Sequence, residues 1–522
     1  MKSVLSDYRW RHRLAGAALG LLALPAFALD TTPGTLPELV IDLSQTTVSG
    51  ISSGAFMAVQ MGVAHSASVK GVAATAGGPY FCALQDSLGG SGVNQAIKRC
   101  MQGDPSYGMT PITSRDMDRM KDYTRTWSDK GLIDSVSNLA NQAVWVFHGY
   151  NDGIVKAPVS NALIDWYQGF TPASQVFHKD VLKAGHAQIS SSCTAGDTSC
   201  NPCAQTGNKF INACQDQPAS SSALYDAAGA ALEMFYGPLA GRTDTGALQG
   251  KLYSFEQKDY IRKRDGTSPV EPIKISMGKT GYVYVPQSCQ AGEPCRLHIA
   301  FHGCMQSATS VGESFVRGAG FNEWAEANRM VVLYPQTTTS IPNILGSQPL
   351  NPMGCWDWWG YNDQMYDPYP GGYYAQKRGV QIAAVWRMAE KLAAKGTPGQ
   401  GVAAALAPVL RVSDHSATQA VLSWTPVAGA AQYRVLRATG SDAPIQVAEL
   451  PASRSFYVDG GLSPSTGYRY SVKALANGAE VGVYGEVPVQ TAPAAPACDP
   501  YYSLAKNQPV TKDGKPTTAT CP

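Results

Sequence analysis

Between residues 40 and 400 the chain alternates short strand-like runs with stretches of helical period. Val72–Ala76, Ala143–His148, Gly281–Pro286, Arg296–Phe301 and Met330–Tyr334 are apolar enough to predict strands, and Val40–Val48 predicts a strand leading into the turn at Ser52. Gly54–His65 predicts a helix that opens on small residues and can pack closely on a sheet. Gly379–Lys395 places Ile382, Val385, Met388 and Leu392 at helical spacing. Strands alternating with helices in this way predict an α/β layered domain over residues 29–396.

Near residue 397 the pattern changes. Gly396-Thr397-Pro398-Gly399-Gln400-Gly401 and the Ala-rich residues after it predict a linker, taken as 397–405. Beyond it come Ala420–Trp424, Gln432–Leu436, Ile445–Glu449, Ser455–Val458, Tyr468–Ala474 and Val481–Gln490, short alternating runs at the spacing of an all-β sandwich. Leu462-Ser463-Pro464-Ser465-Thr466-Gly467-Tyr468 has the form of a tyrosine corner. With Trp424 and Tyr433 it makes residues 406–492 resemble a fibronectin type III module. Such a module implies no catalytic groups of its own. The Pro/Thr-rich residues 493–522 form a tail too short for a core.

At the other end, Leu14 to Leu24 are too few to span a bilayer. Lys2, Arg9, Arg11 and Arg13 precede them and Ala26-Phe27-Ala28 follows, so residues 1–28 read as a secretory signal peptide. Its loss removes four cations and one anion and turns a net charge of +2 into −1. That balance recruits neither nucleic acid nor anionic lipid, and the expected partner is neutral. No later segment is long and apolar enough to cross a membrane. The 12 cysteines fit an exported, extracellular or periplasmic protein with about six disulfides. Cys193, Cys200, Cys203 and Cys214 could suggest zinc, but no histidine lies among them, so disulfides and no metal are expected. Sequence does not give the pairing. Neighbours such as Cys289 with Cys295, and Cys498 with Cys521, are the simplest guesses.

The candidate chemistry begins at Gly50-Ile51-Ser52-Ser53-Gly54, a G-x-S-x-G match. With 52 glycines in 522 residues the match alone is weak. It gains force because it follows a β-rich run and starts a helix, the setting of a nucleophile elbow. A serine nucleophile needs a base and an orienting acid, in the order Ser, Asp/Glu, His for that fold. Asp152 lies in the loop after Ala143–His148, and His186 stands between small residues in Gly185-His186-Ala187. Ser52, Asp152 and His186 therefore form the candidate triad. His148 is the rival base but precedes the acid, and strand-borne His178 reads as structural.

The serine comes unusually early. A second oxyanion N–H is needed from a loop that normally lies upstream, and upstream there is no room. Downstream, Arg296–Phe301 ends in His302-Gly303-Cys304, and the Gly379–Lys395 helix would ordinarily lead into the elbow strand. Joining residue 396 to residue 38 restores the usual order. The expectation is a circularly permuted α/β-hydrolase with the Ser53 and Cys304 N–H groups as oxyanion donors. Cys355-Trp356-Asp357-Trp358-Trp359-Gly360-Tyr361 is dense in aromatics. As core, the run would need a partner for every indole N–H. Trp356, Trp358, Trp359 and Tyr361 are therefore read as apolar cleft walls and Asp357 as structural.

The permuted order, Gly50–Gly54, His148–Asp152, Gly185–Gln188, His302–Cys304 and the following module together resemble extracellular short-chain-length polyhydroxyalkanoate depolymerases, of the type whose nucleophile lies near the N-terminus. The resemblance implies a polyester substrate, poly(3-hydroxybutyrate) or its oligomers, hydrolysed through an acyl-enzyme by Ser52 with Asp152 and His186. It implies no cofactor, and a monomer is expected. Members acting on crystalline polymer usually end in a distinct polymer-binding domain. Here only residues 493–522 remain, so soluble oligomers are the expected preference. A feruloyl or acetylxylan esterase is the alternative within the class, and a non-catalytic surface-binding protein the alternative outside it. The glycine-rich linker also predicts few contacts between catalytic domain and module, so that truncation near residue 402 would spare oligomer hydrolysis.

Overall fold

The computed structural model describes residues 33–84, 92–103, 109–193, 200–217, 223–342, 348–366, 372–397, 399, 408–496, 501–503 and 508–510. The expected signal peptide, nearly all of the linker and most of the tail, with Cys498 and Cys521, lie outside them.

The first strand, β1 (Thr46–Ile51), runs into helix α1 (Ser53–Ala64). β2 (Val69–Thr75), β3 (Ala143–Phe147) and β4 (Val176–Lys179) follow. The short strands β5 (Gln188–Ile189), β6 (Asn201–Pro202) and β7 (Ile211–Ala213) make a small sheet of their own. β8 (Lys251–Glu256), β9 (Thr280–Val285), β10 (Arg296–Phe301) and β11 (Met330–Tyr334) complete the main sheet. Its order is β4-β3-β2-β1-β10-β11-β9-β8. β1 pairs in parallel with β2 on one side and β10 on the other, while β9 is antiparallel to both neighbours. Every residue of β1, β3 and β11 is buried, because layers cover both faces of the sheet.

The later strands β8–β11 thus form one half of the sheet and the earlier β1–β4 the other. The domain's two ends meet: Leu39 N–H donates to Leu392 O at 2.7 Å, and Cys295 N–H to Val40 O at 2.8 Å. A Cβ on Gly396 would stand 1.8 Å from Ile41 O. This is the circularly permuted α/β-hydrolase architecture expected from the order of motifs.

Boundaries moved where local polar groups intervene. The strand expected over Val40–Val48 starts only at Thr46, because Asp42 accepts from the Ser44 N–H and caps a 3-10 turn at Leu43–Gln45. It then continues to Ile51. β8, an edge strand that is mostly half-buried, carried no clear period in the sequence.

The C-terminal sandwich comprises β12 (Leu410–His415), β13 (Gln419–Trp424), β14 (Gln432–Thr439), β15 (Ile445–Pro451), β16 (Phe456–Gly460), β17 (Gly467–Ala476), β18 (Ala479–Val483) and β19 (Val487–Gln490). One sheet is β12-β13-β16. The other is β15-β14-β17-β18, with β19 also on β17. Trp424, Tyr433, Leu462 and Tyr470 share its core, and Tyr468 OH accepts from the Ser463 N–H at 2.9 Å. The fold is that of a fibronectin type III module, tyrosine corner included.

The expected independence of the two domains is overturned. Val421, Phe456 and Val458 of the module pack in one cluster with Trp145, Phe147, Phe177 and Met234 of the catalytic domain. Arg411 pairs with Glu233 at 2.6 Å. β13 is buried along both faces, with Leu422 and Trp424 turned to the module's own core and Val421 to the catalytic domain. A catalytic domain cut free near residue 402 would present Trp145 and Phe177 to water.

Five disulfides are present among the described residues: Cys82–Cys100, Cys193–Cys200, Cys203–Cys214, Cys289–Cys295 and Cys304–Cys355. Among the described residues no helix is long and apolar enough to cross a membrane.

Burial lowers several histidines far below their usual range, His65 and His298 to about 3, and His178 and His302 to about 4. The unfolded chain takes up these protons below about pH 6.5, whereas the native chain resists them down to about pH 4. For these rings the unfolded state therefore binds more protons in that window, which lowers stability on acidification, while Asp357 and Asp363, raised by burial to about 6 and about 7, bind protons in the native state and offset part of the fall. Urea midpoints should be lower at pH 4.5 than at pH 6.5, and His298→Gln should make that difference smaller; equal parental midpoints would contradict the neutral buried rings.

Candidate active site

β1 delivers Ser52 onto a turn with φ 57° and ψ −124°, a strained conformation for a non-glycine residue. The Ser52 N–H donates to Thr75 O at 2.9 Å, pinning the turn to β2. The flanking glycines are required by contact. A Cβ on Gly50 would lie 2.1 Å from Gly54 O, and one on Gly54 would lie 2.3 Å from Phe301 O and 2.4 Å from His302 O.

Asp152 and His186, the expected acid and base, come from the loops after β3 and β4. Asp152 Oδ2 accepts from His186 Nδ1–H at 2.7 Å, and its Oδ1 accepts from the Ile154 and Val155 N–H groups at 2.8 and 3.1 Å. Burial pushes the Asp152 carboxyl up, but the His186 and His148 rings and these amides outweigh it and hold it below the usual carboxylate range. A neutral His186 ring that donates through Nδ1 keeps Nε2 as an acceptor. The small-residue frame around His186 has a steric reason. Gly185 abuts Gln205 O, and the His186 N–H donates to Thr206 Oγ1 at 2.9 Å, in the loop closed by Cys203–Cys214. His148, the rival base, instead donates through Nε2 to Val155 O at 3.0 Å behind the Asp152 loop.

The His302-Gly303-Cys304 loop meets the serine turn. A Cβ on Gly303 would lie 3.4 Å from Ser52 Cβ. His302 donates through Nδ1 to Gly303 O at 2.7 Å and accepts from the Thr337 N–H at Nε2, at 3.1 Å. Gln306 accepts from the Gly303 N–H at 2.8 Å and donates to Lys209 O and Phe210 O. The Cys304–Cys355 disulfide ties the loop to the aromatic segment, whose Trp356 N–H donates to Ser53 Oγ at 3.3 Å.

Ser52, His186 and Cys304 open on one cavity of about 520 Å³. Trp358, Trp359 and Tyr361 line it as expected, with Trp358 stacked on Phe56 at 4.0 Å. Trp356 does not line it. It is fully buried against Phe301 and His302, behind the His302-Gly303-Cys304 loop. Burial does not bring every indole a partner: among the described residues the Trp356 and Trp358 Nε1–H groups are buried with no hydrogen-bond acceptor. Asp357 is structural, accepting from the Gly360, Tyr361 and Asn362 N–H groups. Phe56, Met101, Ile154, Val155 and Met353 complete the walls and carried no sequence signal, since isolated apolar residues look alike in core and cleft. At the rim Val93, Ile97 and Leu350 are 41, 39 and 61% exposed.

No protein-family model matches the chain. Individual relatives do. Over 477 residues, 90% of this chain and 83% of the relative, it is 36% identical to a poly(3-hydroxybutyrate) depolymerase of Delftia acidovorans. Over 385 residues, 72% of this chain and 94% of the relative, it is 34% identical to a polyhydroxybutyrate depolymerase of Talaromyces funiculosus. The chain belongs to the polyhydroxybutyrate depolymerase family. Among solved structures, a PHB depolymerase from Penicillium funiculosum superposes with a TM-score of 0.55 at 32% identity, covering 70% of this depolymerase chain and all of the other. A PHB depolymerase variant complexed with an R3HB trimer superposes equally, at a TM-score of 0.55, 32% identity and the same coverage of both chains.

The two tryptophan environments of this depolymerase separate experimentally. Trp356→Ala should cost about 3–5 kcal/mol of stability in urea unfolding. Trp359→Ala should leave the unfolding midpoint nearly in place and raise KM for a soluble ester several-fold. The reverse pattern would exchange their assignments.

Proposed function

We propose that Ser52 is the nucleophile of this depolymerase, His186 its general base and acid, and Asp152 the group that fixes the His186 tautomer. The observation that carries the reading is the buried 2.7 Å Asp152–His186 bond behind a cavity that His186 shares with Ser52 on its strained turn. The enzyme is a carboxylic ester hydrolase that cleaves poly(3-hydroxybutyrate) or its oligomers. The Ser52 hydroxyl adds to the ester carbonyl carbon while its proton passes to His186 Nε2. The carbonyl oxygen takes the charge. The Ser53 and Cys304 N–H groups, which no protein acceptor engages among the described residues, are the donors proposed for it. His186 then gives its proton to the departing alkoxide, leaving the acyl group on Ser52. Water, deprotonated by His186, cleaves that ester to release the carboxylic acid and restore the serine.

Apolar walls from Phe56, Ile154, Val155 and Trp358 suit an aliphatic polyester and offer little to a polyhydroxylated sugar ester. The exposed rim of Val93, Ile97 and Leu350 gives the catalytic domain an apolar surface of its own for polymer. Export to an oxidising compartment is proposed from the five disulfides and the absence of free cysteines among the described residues.

Ser52→Ala should abolish hydrolysis of a hydroxybutyrate trimer ester and labelling by a fluorophosphonate, with circular dichroism unchanged. Asp152→Asn should lower kcat by up to about 10⁴. Retention of activity within about tenfold in either variant would sink the assignment. The rim predicts a separation by substrate: Leu350→Ser with Ile97→Ser should slow clearing of a polymer film about two- to tenfold and leave trimer hydrolysis unchanged. Equal losses on both substrates would place these residues in the cleft's chemistry.

A further inference from the structure

The loops that carry Asp152 and His186 are held from outside the catalytic domain. β4 is the edge strand of the main sheet, and Lys179 is its last residue. Lys179 O accepts from the His148 N–H at 2.9 Å, fixing the residue that opens the Asp152 loop. The path from Lys179 to His186 then zips onto that loop: the Tyr150 N–H donates to Leu182 O at 3.0 Å and the Asn151 N–H to Ala184 O at 3.1 Å. The end of β4 therefore sets the Asp152 and His186 loops together.

The fibronectin type III module fixes that strand end. The Lys179 side chain is 0% exposed, and its ammonium donates to Asp414 Oδ1 at 3.2 Å, His415 O at 2.7 Å and Asp216 Oδ1 at 2.7 Å. Two of the three acceptors belong to the module. The Asp414 side chain, 1% exposed, also accepts from Trp145 Nε1–H on β3 at 3.0 Å and from Tyr225 OH at 2.5 Å. Gln419 of the module completes the edge: it accepts from the His178 N–H at 2.9 Å and donates to Val176 O at 3.1 Å, as a neighbouring strand would. A buried ion pair is a poor source of net stability beside apolar packing, but its geometry is narrow.

We propose that Asp414 is a positioning residue for ester hydrolysis, setting through Lys179 the two loops that bring Asp152 to His186. The module thereby contributes to turnover at the active site without supplying any group to it. The proposal rests on the triad assigned above.

The test uses the full chain. Asp414→Asn keeps the side chain's shape and an acceptor for Trp145 and Tyr225, but removes the charge that holds Lys179. Active sites are counted by fluorophosphonate titration, and kcat and KM are measured on a soluble hydroxybutyrate trimer ester. The expected result is a fall in kcat per titrated site of about tenfold with KM within about twofold, the signature of misplaced catalytic groups. If the single variant does not fold, Lys179→Met with Asp414→Asn, which leaves neither partner as a lone buried charge, is read in the same way. Parental turnover per titrated site, with only the active fraction or the melting temperature lowered, would show a purely structural role and overturn the proposal. A parent enzyme labelled elsewhere than at Ser52 would defeat the triad itself, and the proposal with it.

Discussion

The structure depends on the close approach of α1 to the end of β10. The Gly54 backbone lies so near Phe301 O and His302 O that no side chain fits between them. That approach follows from pairing β1 with β10 in parallel, Gly50 opposite Phe301. The pairing joins two halves of the sheet made from distant parts of the chain. It also brings the serine turn and the His302-Gly303-Cys304 loop to one place. Without it Ser52 and the second proposed oxyanion donor would belong to separate pieces.

The polar groups around this seam are settled by burial and by fixed partners. His302 is kept neutral, and its tautomer is set by Gly303 O on one side and the Thr337 N–H on the other. Gln306 bridges Gly303 to the backbone of Lys209 and Phe210, close to the loop that frames His186. Asp152 is kept ionised against its own burial by the ring it orients and by two amides. Such groups need no reorganisation as charge develops, which is what preorganised electrostatic stabilisation requires.

The fibronectin type III module takes part in the catalytic domain's packing. Its β12-β13-β16 sheet lies over Trp145, Phe147 and Phe177, completing a face that the catalytic domain leaves apolar. The glycine-rich connection between the domains gave no hint of this. A flexible linker fixes reach and leaves docking to the surfaces at its ends. The hint lay in β13 itself, where Ala420–Trp424 is apolar at both parities save for Ser423, as in a strand buried on two sides.

The sequence by itself determined the features that local pattern encodes. The strand and helix periods, the elbow glycines, the order of Ser52, Asp152 and His186, the tyrosine corner and the permuted sheet were all legible there. Each either repeats along the chain or is demanded by a turn. Tertiary structure decided what depends on which surfaces meet. Trp356 and Trp358 stand two residues apart in one aromatic run, yet one is core behind the His302-Gly303-Cys304 loop and the other a cleft wall. Asp414 and Lys179 are ordinary charged residues in the sequence, 235 positions apart, and become a buried pair only when the module docks. Burial and long-range pairing are properties of the folded arrangement, so neither could be assigned from the residues alone.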